Sequence, residues 1–259
     1  MLTKPIISEI FVETKAVRRV RDAIEFAMIS PYPAHVISSP GRGKTTALYH
    51  LAREYDGAYL EIGEQQKTPA GLYRGLLEAI GAIDPSGLDR KYERDLFDSV
   101  IHHMTRRMDW SGAQKDLLVV DEFQTAEDRT KRELLRLHET CGFALVLSGN
   151  AERLASSGKR DPVALQQIED RIGARFFLPK LDQSDCDLIA KAYGVKDEAA
   201  LWAARTLGTK GNARELVQTL QMARHGAQGG AVSLSNIREA LVLVTGKTDA
   251  LKVLNRANR

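Results

Sequence analysis

Residues 36–45, Val-Ile-Ser-Ser-Pro-Gly-Arg-Gly-Lys-Thr, constrain what this chain can fold into more than any other segment. A short apolar run breaks into Pro40-Gly41-Arg42-Gly43 and resumes on Lys44-Thr45 with a helix-forming sequence. A strand, tight turn and helix in that order leave backbone N–H groups to wrap an anion, with the positive end of the helix directed at it. A lysine followed by a hydroxyl residue suits a triphosphate and its cation. Lys44 would reach the β- and γ-phosphates, and the Thr45 hydroxyl would ligate Mg²⁺. The pattern Gly-x-x-x-x-Gly-Lys-Ser/Thr is met except at its first position, where Ser38 stands. That position only begins the turn. The candidate nucleotide-binding residues here are Ser39, Pro40, Gly41, Arg42, Gly43, Lys44, Thr45 and Thr46.

A second segment completes the chemistry. Leu117, Leu118, Val119 and Val120 read as a buried strand that ends on Asp121-Glu122. One carboxylate, Asp121, would join Thr45 in the Mg²⁺ shell, and the other, Glu122, would polarise the attacking water. The later Thr245-Gly246-Lys247-Thr248 shares three of these residue types. It lacks the glycine-rich loop and a following helix, so it reads as a polar turn.

Strands and helices alternate through the first two thirds of the chain. The expected order is a helix over 14–28 with Val17, Val20, Ile24 and Ala27 on one face, a strand at 35–38, a helix from Thr45 to about Glu54 and a strand at 58–62. Thr68-Pro69 reads as the cap and first-turn proline of a helix to Ile80, followed by a loop over 81–87. Then come a helix over 90–108, the acidic-ended strand 117–121, a helix over 126–139, a strand at 143–147, a helix over 162–172 and a strand at 176–178. Alternation of this kind predicts a parallel sheet covered by helices on both faces. From Asp182 onward the helical patterns 184–193, 197–207, 211–225 and 233–244 follow one another with no strand between. The predicted fold is α/β: a P-loop core with a parallel sheet flanked by helices, plus a small all-helical lid. Its divisions are an N-terminal linker and helix (1–33), the nucleotide-binding core (34–180), the lid (181–245) and a basic tail (246–259).

Composition narrows the setting. With 43% hydrophobic and 27% charged residues, 259 residues suffice for a full core. No 18-residue apolar run and no signal-type apolar segment occur, so no membrane partner is expected. Two cysteines, Cys141 and Cys186, do not make a disulfide framework, and the expected compartment is a reducing cytoplasm. The pair His102-His103 lacks companions at metal-ligand spacing and reads as a solvated helix face. A net charge of +3 neither demands nor excludes a nucleic acid. Any such affinity must come from local clusters or from many subunits repeating the same few cations.

With these elements in place, the chain resembles AAA+ ATPases over nearly its whole length. The resemblance gives roles to three more residues. Asn150, ending the strand after the acidic one, stands where the family has sensor 1, which helps orient the attacking water. Arg171, in Glu169-Asp170-Arg171-Ile172-Gly173, stands where the family has its arginine finger, with Arg175 as its rival. Arg214, in Gly211-Asn212-Ala213-Arg214-Glu215-Leu216, is similar to sensor 2, a lid arginine that touches the γ-phosphate.

Within AAA+, Phe11-Val12-Glu13-Thr14 and the segment 63–77 resemble the transposition ATPases of the phage Mu B and TnsC type. That resemblance implies a head-to-tail homo-oligomer, a helical filament or a ring, that assembles with ATP on duplex DNA irrespective of sequence. It implies target selection, stimulation of a transposase, and a site in the cytoplasm of a bacterial host cell. The Mu B protein carries an additional N-terminal helical DNA-binding domain, whereas only about ten residues precede Phe11. In such assemblies the loop after the second strand faces the axis. The DNA candidates are therefore Lys67, Thr68 and Arg74, with Arg90 and Lys91 behind them. Arg18-Arg19-Arg21, Arg106-Arg107 and the tail from Lys252 to Arg259 are competing basic clusters, and Leu251, Val253 and Leu254 of the tail offer a short partner-binding helix. Two other readings use the same ATPase: a replication helicase loader or initiator, and a nucleotide-gated protein switch with no DNA role.

Overall fold

The computed structural model describes residues 10–82, 92–111, 115–150, 166 and 168–255. They form two compact units. Of the described residues, one is built from Arg19–Ser39 and Thr45–Phe177, the other from residues 10–18, Pro40–Lys44 and residues 178–255.

The first unit is organised by a five-stranded parallel sheet, β1 (Ala34–Ile37), β2 (Ala58–Glu61), β3 (Leu117–Asp121), β4 (Ala144–Gly149) and β5 (Ala174–Phe177), in the order β2-β3-β4-β1-β5. The three inner strands are buried at every position, as strands covered on both faces must be. The edge strands β2 and β5 carry exposed or half-buried positions instead. Register pairs Glu61 with Asp121, Val120 with Leu147, and Ile37 with both Gly149 and Phe177. Because all strands run the same way, Ile37, Asp121 and Gly149 end on one edge, where open α/β sheets bind their ligands.

The helices of this unit are α1 (Lys15–Ile29, shared at its start with the second unit), α2 (Lys44–Glu54, joined to the first unit from Thr45), α3 (Pro69–Ala79), α4 (Glu93–Ser111) and α5 (Asp128–Cys141). Val17, Val20, Ile24 and Ala27 are all buried, as the periodicity of α1 requires. Thr68 caps α3, its hydroxyl accepting from the Gly71 N–H at 3.3 Å with Pro69 in the first turn. α3 lies so close on the preceding turn that a Cβ on Gly71 would fall 1.9 Å from the Gln65 carbonyl oxygen.

Of the boundaries that differ from the sequence expectation, three lie close to the sheet edge or to the arginines beside it. α5 begins at Asp128 rather than 126, because a 3₁₀ turn over Phe123–Thr125 and extended backbone at Ala126 and Glu127 come first. β4 runs on to Gly149, since Ser148 and Gly149 still pair with Val36 and Ile37. β5 starts at Ala174 instead of 176, so the strand includes Arg175 and excludes Leu178. Residues 162–165 and 167 of the helix expected over 162–172, and residues 83–91 of the loop and of the start of α4, lie outside the described residues.

The second unit is a helical cluster: α6 (Gln183–Ala192), α7 (Glu198–Lys210), α8 (Ala213–Gly226) and α9 (Leu234–Thr245). Asp182, Asp197, Asn212 and Ser233 cap them, each side chain accepting from a backbone N–H three residues on. The cluster is not wholly helical, because Val195 and Val232 form an isolated parallel bridge. Cys186, Leu207, Leu216, Leu220 and Ile237 are at its centre, and Ile10 and Val12 pack against it. Lys15 binds here as well, its ammonium on the Asp182 carboxylate and its N–H donating to Asp185 Oδ1 at 2.9 Å. That ammonium holds the Asp182 carboxyl well below the usual range. Thr245 closes α9 and Gly246, at φ +65°, caps it, so the second Gly-Lys-Thr is a helix stop. Leu254, in α10 (Lys252–Asn255), is buried in this unit's own core with Leu251 beside it, which removes both from the partner-binding helix expected in the tail.

Candidate nucleotide-binding site

The sheet edge gathers three side chains and one backbone N–H on one carboxylate. Asp121 is fully buried at the end of β3. Its Oδ2 accepts from Thr45 Oγ1 at 2.7 Å and from the Tyr59 hydroxyl at 3.3 Å. Its Oδ1 accepts from Ser148 Oγ at 2.7 Å and from the Glu122 N–H at 2.8 Å. Four donors replace the water a buried carboxylate would lose, so it can be held dry in a fixed orientation. Burial first, and the Asp121 charge next, push the Tyr59 phenol far above its ordinary range, so Tyr59 stays a neutral donor. A hydroxyl and a carboxylate oxygen 2.7 Å apart at the head of α2 are hard oxygen ligands of the type Mg²⁺ prefers.

Next along the chain, Glu122 adopts φ +53°, ψ +34°, the left-handed region that few side-chain-bearing residues enter. Its carboxylate accepts from Gln124 Nε2, and Gln124 Oε1 accepts from the Asn150 N–H at 3.3 Å. Glu122 and Asn150, expected from sequence to act together, are thus joined through a residue the sequence reading did not single out.

In the second unit, the loop Pro40–Lys44 is built on two left-handed glycines, Gly41 at φ +79° and Gly43 at φ +82°. A Cβ on Gly41 would meet the Asn212 side chain at 3.0 Å, whereas one on Gly43 would meet nothing within 4 Å. At Gly41 a side chain is excluded by both conformation and neighbour, and at Gly43 by conformation alone. The Arg214 N–H donates to the Gly41 carbonyl at 3.2 Å, and Arg42 Nη1 donates to the Leu178 carbonyl at 2.5 Å. Arg214 therefore stands in the first turn of α8, beside the loop that bears Lys44. Ser39 and Pro40 are exposed, and Lys44, Thr45 and Thr46 are half-buried.

The remaining expected residues are elsewhere. Arg171 is exposed, pairs with Glu139 at 3.4 Å, and lines a cavity of about 380 Å³ with Arg129, Arg132, Glu133 and Arg136. Arg175 reaches the Glu169 carbonyl at 3.5 Å from the edge strand β5. Lys67 pairs with Glu64 at 2.6 Å, which raises its pKa, and its carbonyl accepts from the Thr130 hydroxyl and the Glu127 N–H. Arg74 is half-buried on α3. Arg90 and Lys91 lie outside the described residues.

Ser148, Tyr59, Gln124 and Asn212 were missed in the sequence. Ser148 reads there only as the end of an apolar strand and Tyr59 only as one more strand residue. Asn212 carried a weak signal, as an asparagine immediately before a helical pattern.

Comparison with known proteins adds identity to the geometry. The AAA domain family matches residues 32–155, and the family "Mu B transposition protein, C terminal" matches residues 170–243. Among curated relatives, the "ATP-dependent target DNA activator B" proteins of Escherichia phage Mu and Escherichia phage D108 are each 27% identical over 223 residues, covering 85% of this chain and 68% of theirs. Among solved structures, the Aeropyrum pernix ORC2 protein aligns with TM-score 0.64 at 17% identity, over 92% of this chain and 70% of that one. The Thermotoga maritima RuvB motor aligns with TM-score 0.56 at 14% identity, over 93% of this chain and 72% of that one. At these identities the two structures speak to fold alone.

Proposed function

We propose that this chain, which matches the AAA domain family and the Mu B C-terminal family, is an ATPase that assembles on duplex DNA, selects it as a target and stimulates a transposase. The ATPase part is carried by the 2.7 Å contact between Thr45 Oγ1 and Asp121 Oδ2, which sets the hydroxyl at the head of α2 against the acidic end of β3. The DNA part is supported by the relatives, whose name describes ATP-dependent activation of target DNA.

In this reading Ser39–Thr46 cradle the triphosphate through backbone N–H groups, with Lys44 on the β- and γ-phosphates. Thr45 and Asp121 hold Mg²⁺, which when bound neutralises charge on the phosphates. Hydrolysis forms a bond from a water oxygen to the γ-phosphorus and breaks the bond to the bridging oxygen of ADP. Glu122 orients the water and draws on its proton, and Asn150 restrains the same edge. Arg214 acts as the lid arginine. Arg171 belongs to a neighbouring subunit's site, where an arginine in trans contributes on the order of 10³–10⁵ in rate. Turnover then depends on assembly, and head-to-tail contacts of this kind build filaments or rings. Lys67 and Arg74, with Arg90 and Lys91, grip phosphates, and Thr68 sets the loop that presents them. A few cations repeated along an assembly give a sequence-independent, salt-sensitive affinity.

Fluorescence anisotropy on random-sequence duplex tests this. Tight binding with a slowly hydrolysed ATP analogue, lost with ADP and weakened steeply by salt, is the expected result. A preference for single strands would favour a helicase loader, and nucleotide binding without DNA affinity would favour a protein switch.

A further inference from the structure

Gln124 has no place in the reaction as set out above, yet its side chain is buried and hydrogen-bonded beside Glu122. It is 5% exposed, within the 3₁₀ turn that follows the left-handed Glu122. Its amide orientation follows from its neighbours. The Asn150 N–H can only donate, so the oxygen must face it and the NH₂ must face the Glu122 carboxylate, which can accept. Gly149 closes the third side: a Cβ there would lie 2.7 Å from Gln124 Oε1. The amide thus spans from the end of β3 to the end of β4, held by a donor, an acceptor and a glycine.

We propose that Gln124 is a positioning residue for ATP hydrolysis, fixing the Glu122 carboxylate against the backbone of Asn150 so that it meets the attacking water in one orientation. This rests on Glu122 being the water-polarising group. Loss of the amide should affect the chemical step and leave nucleotide binding, which uses other residues, untouched.

The test compares Gln124→Leu, Gln124→Glu and Glu122→Gln with the full wild-type chain, measuring kcat, KM for ATP and affinity for a fluorescent ATP analogue. Gln124→Leu is expected to lose about 10- to 100-fold in kcat, the scale on which a misplaced reacting group costs rate, with analogue affinity within about threefold of wild type. Gln124→Glu keeps the shape but replaces the NH₂ that the Glu122 carboxylate accepts from, and should lose kcat to a similar extent. Combining Gln124→Leu with Glu122→Gln should cost no more than Glu122→Gln alone, because both act through one carboxylate. Unchanged kcat in Gln124→Leu or in Gln124→Glu would overturn the proposal, as would parallel loss of nucleotide affinity. Full activity in Glu122→Gln would instead remove the reading of Glu122 on which the proposal rests.

Discussion

Glu122 holds a left-handed backbone conformation that costs a side-chain-bearing residue roughly 1–3 kcal/mol. The neighbouring bonds offset it: its N–H donates to Asp121 Oδ1 and its carboxylate accepts from Gln124. The twist separates two adjacent carboxylates, turning Asp121 into the sheet edge toward Thr45 while Glu122 leaves the strand. Different roles for neighbouring residues need that divergence. Glu122→Gln should therefore bind an ATP analogue normally and hydrolyse ATP about 10²–10⁴-fold more slowly, the usual range for a lost general base, measured by phosphate release. Lys44→Ala should fail one step earlier. Its affinity for the analogue should fall roughly 10- to 100-fold, since a charge-assisted bond to phosphate is lost.

At the scale of elements, the parts legible in the sequence were those whose geometry is local. The phosphate loop declares itself because Gly41, Gly43, Lys44 and Thr45 are consecutive in one turn, and Asp121 because a strand ends on it. The helix cap at Thr68 is legible for the same reason. Ser148 and Tyr59 were not legible, because they meet Asp121 only through the register of β4 and β2 on β3, which no spacing along the chain encodes. The start of α5 was misplaced because the left-handed turn at Glu122 delays it. α5 also carries a pH-sensitive junction: His138 sits between the Phe143 carbonyl at 2.8 Å and the Pro31 carbonyl at 3.1 Å, and burial pushes its pKa below the ordinary value of 6.5. The neutral imidazole is favoured in the fold, so below that value the unfolded chain takes up the proton first. The stability it contributes is complete above the ordinary value and declines as pH falls beneath it. Urea midpoints at about pH 7.5 and about pH 5.5 should differ more in the wild type than in His138→Gln. An equal difference in both would remove His138 as the source.

For the whole molecule, the proposal that Arg171 serves a neighbouring subunit's site predicts complementation between subunits. Arg171→Ala retains Lys44, Thr45 and Glu122, and Glu122→Gln retains Arg171. Each alone should be nearly inactive, whereas an equal mixture should recover up to about one quarter of wild-type turnover through interfaces that combine one intact half from each. Arg175→Ala should not complement in this way. The measurement that tests the central claim most directly is negative-stain microscopy of the wild-type chain on random-sequence duplex DNA, with and without a slowly hydrolysed ATP analogue. Continuous filaments on the DNA with the analogue, absent without it and absent in Lys44→Ala, are the predicted result. Closed rings off the DNA, bare duplex at every nucleotide state, or filaments that form equally well in Lys44→Ala would contradict it.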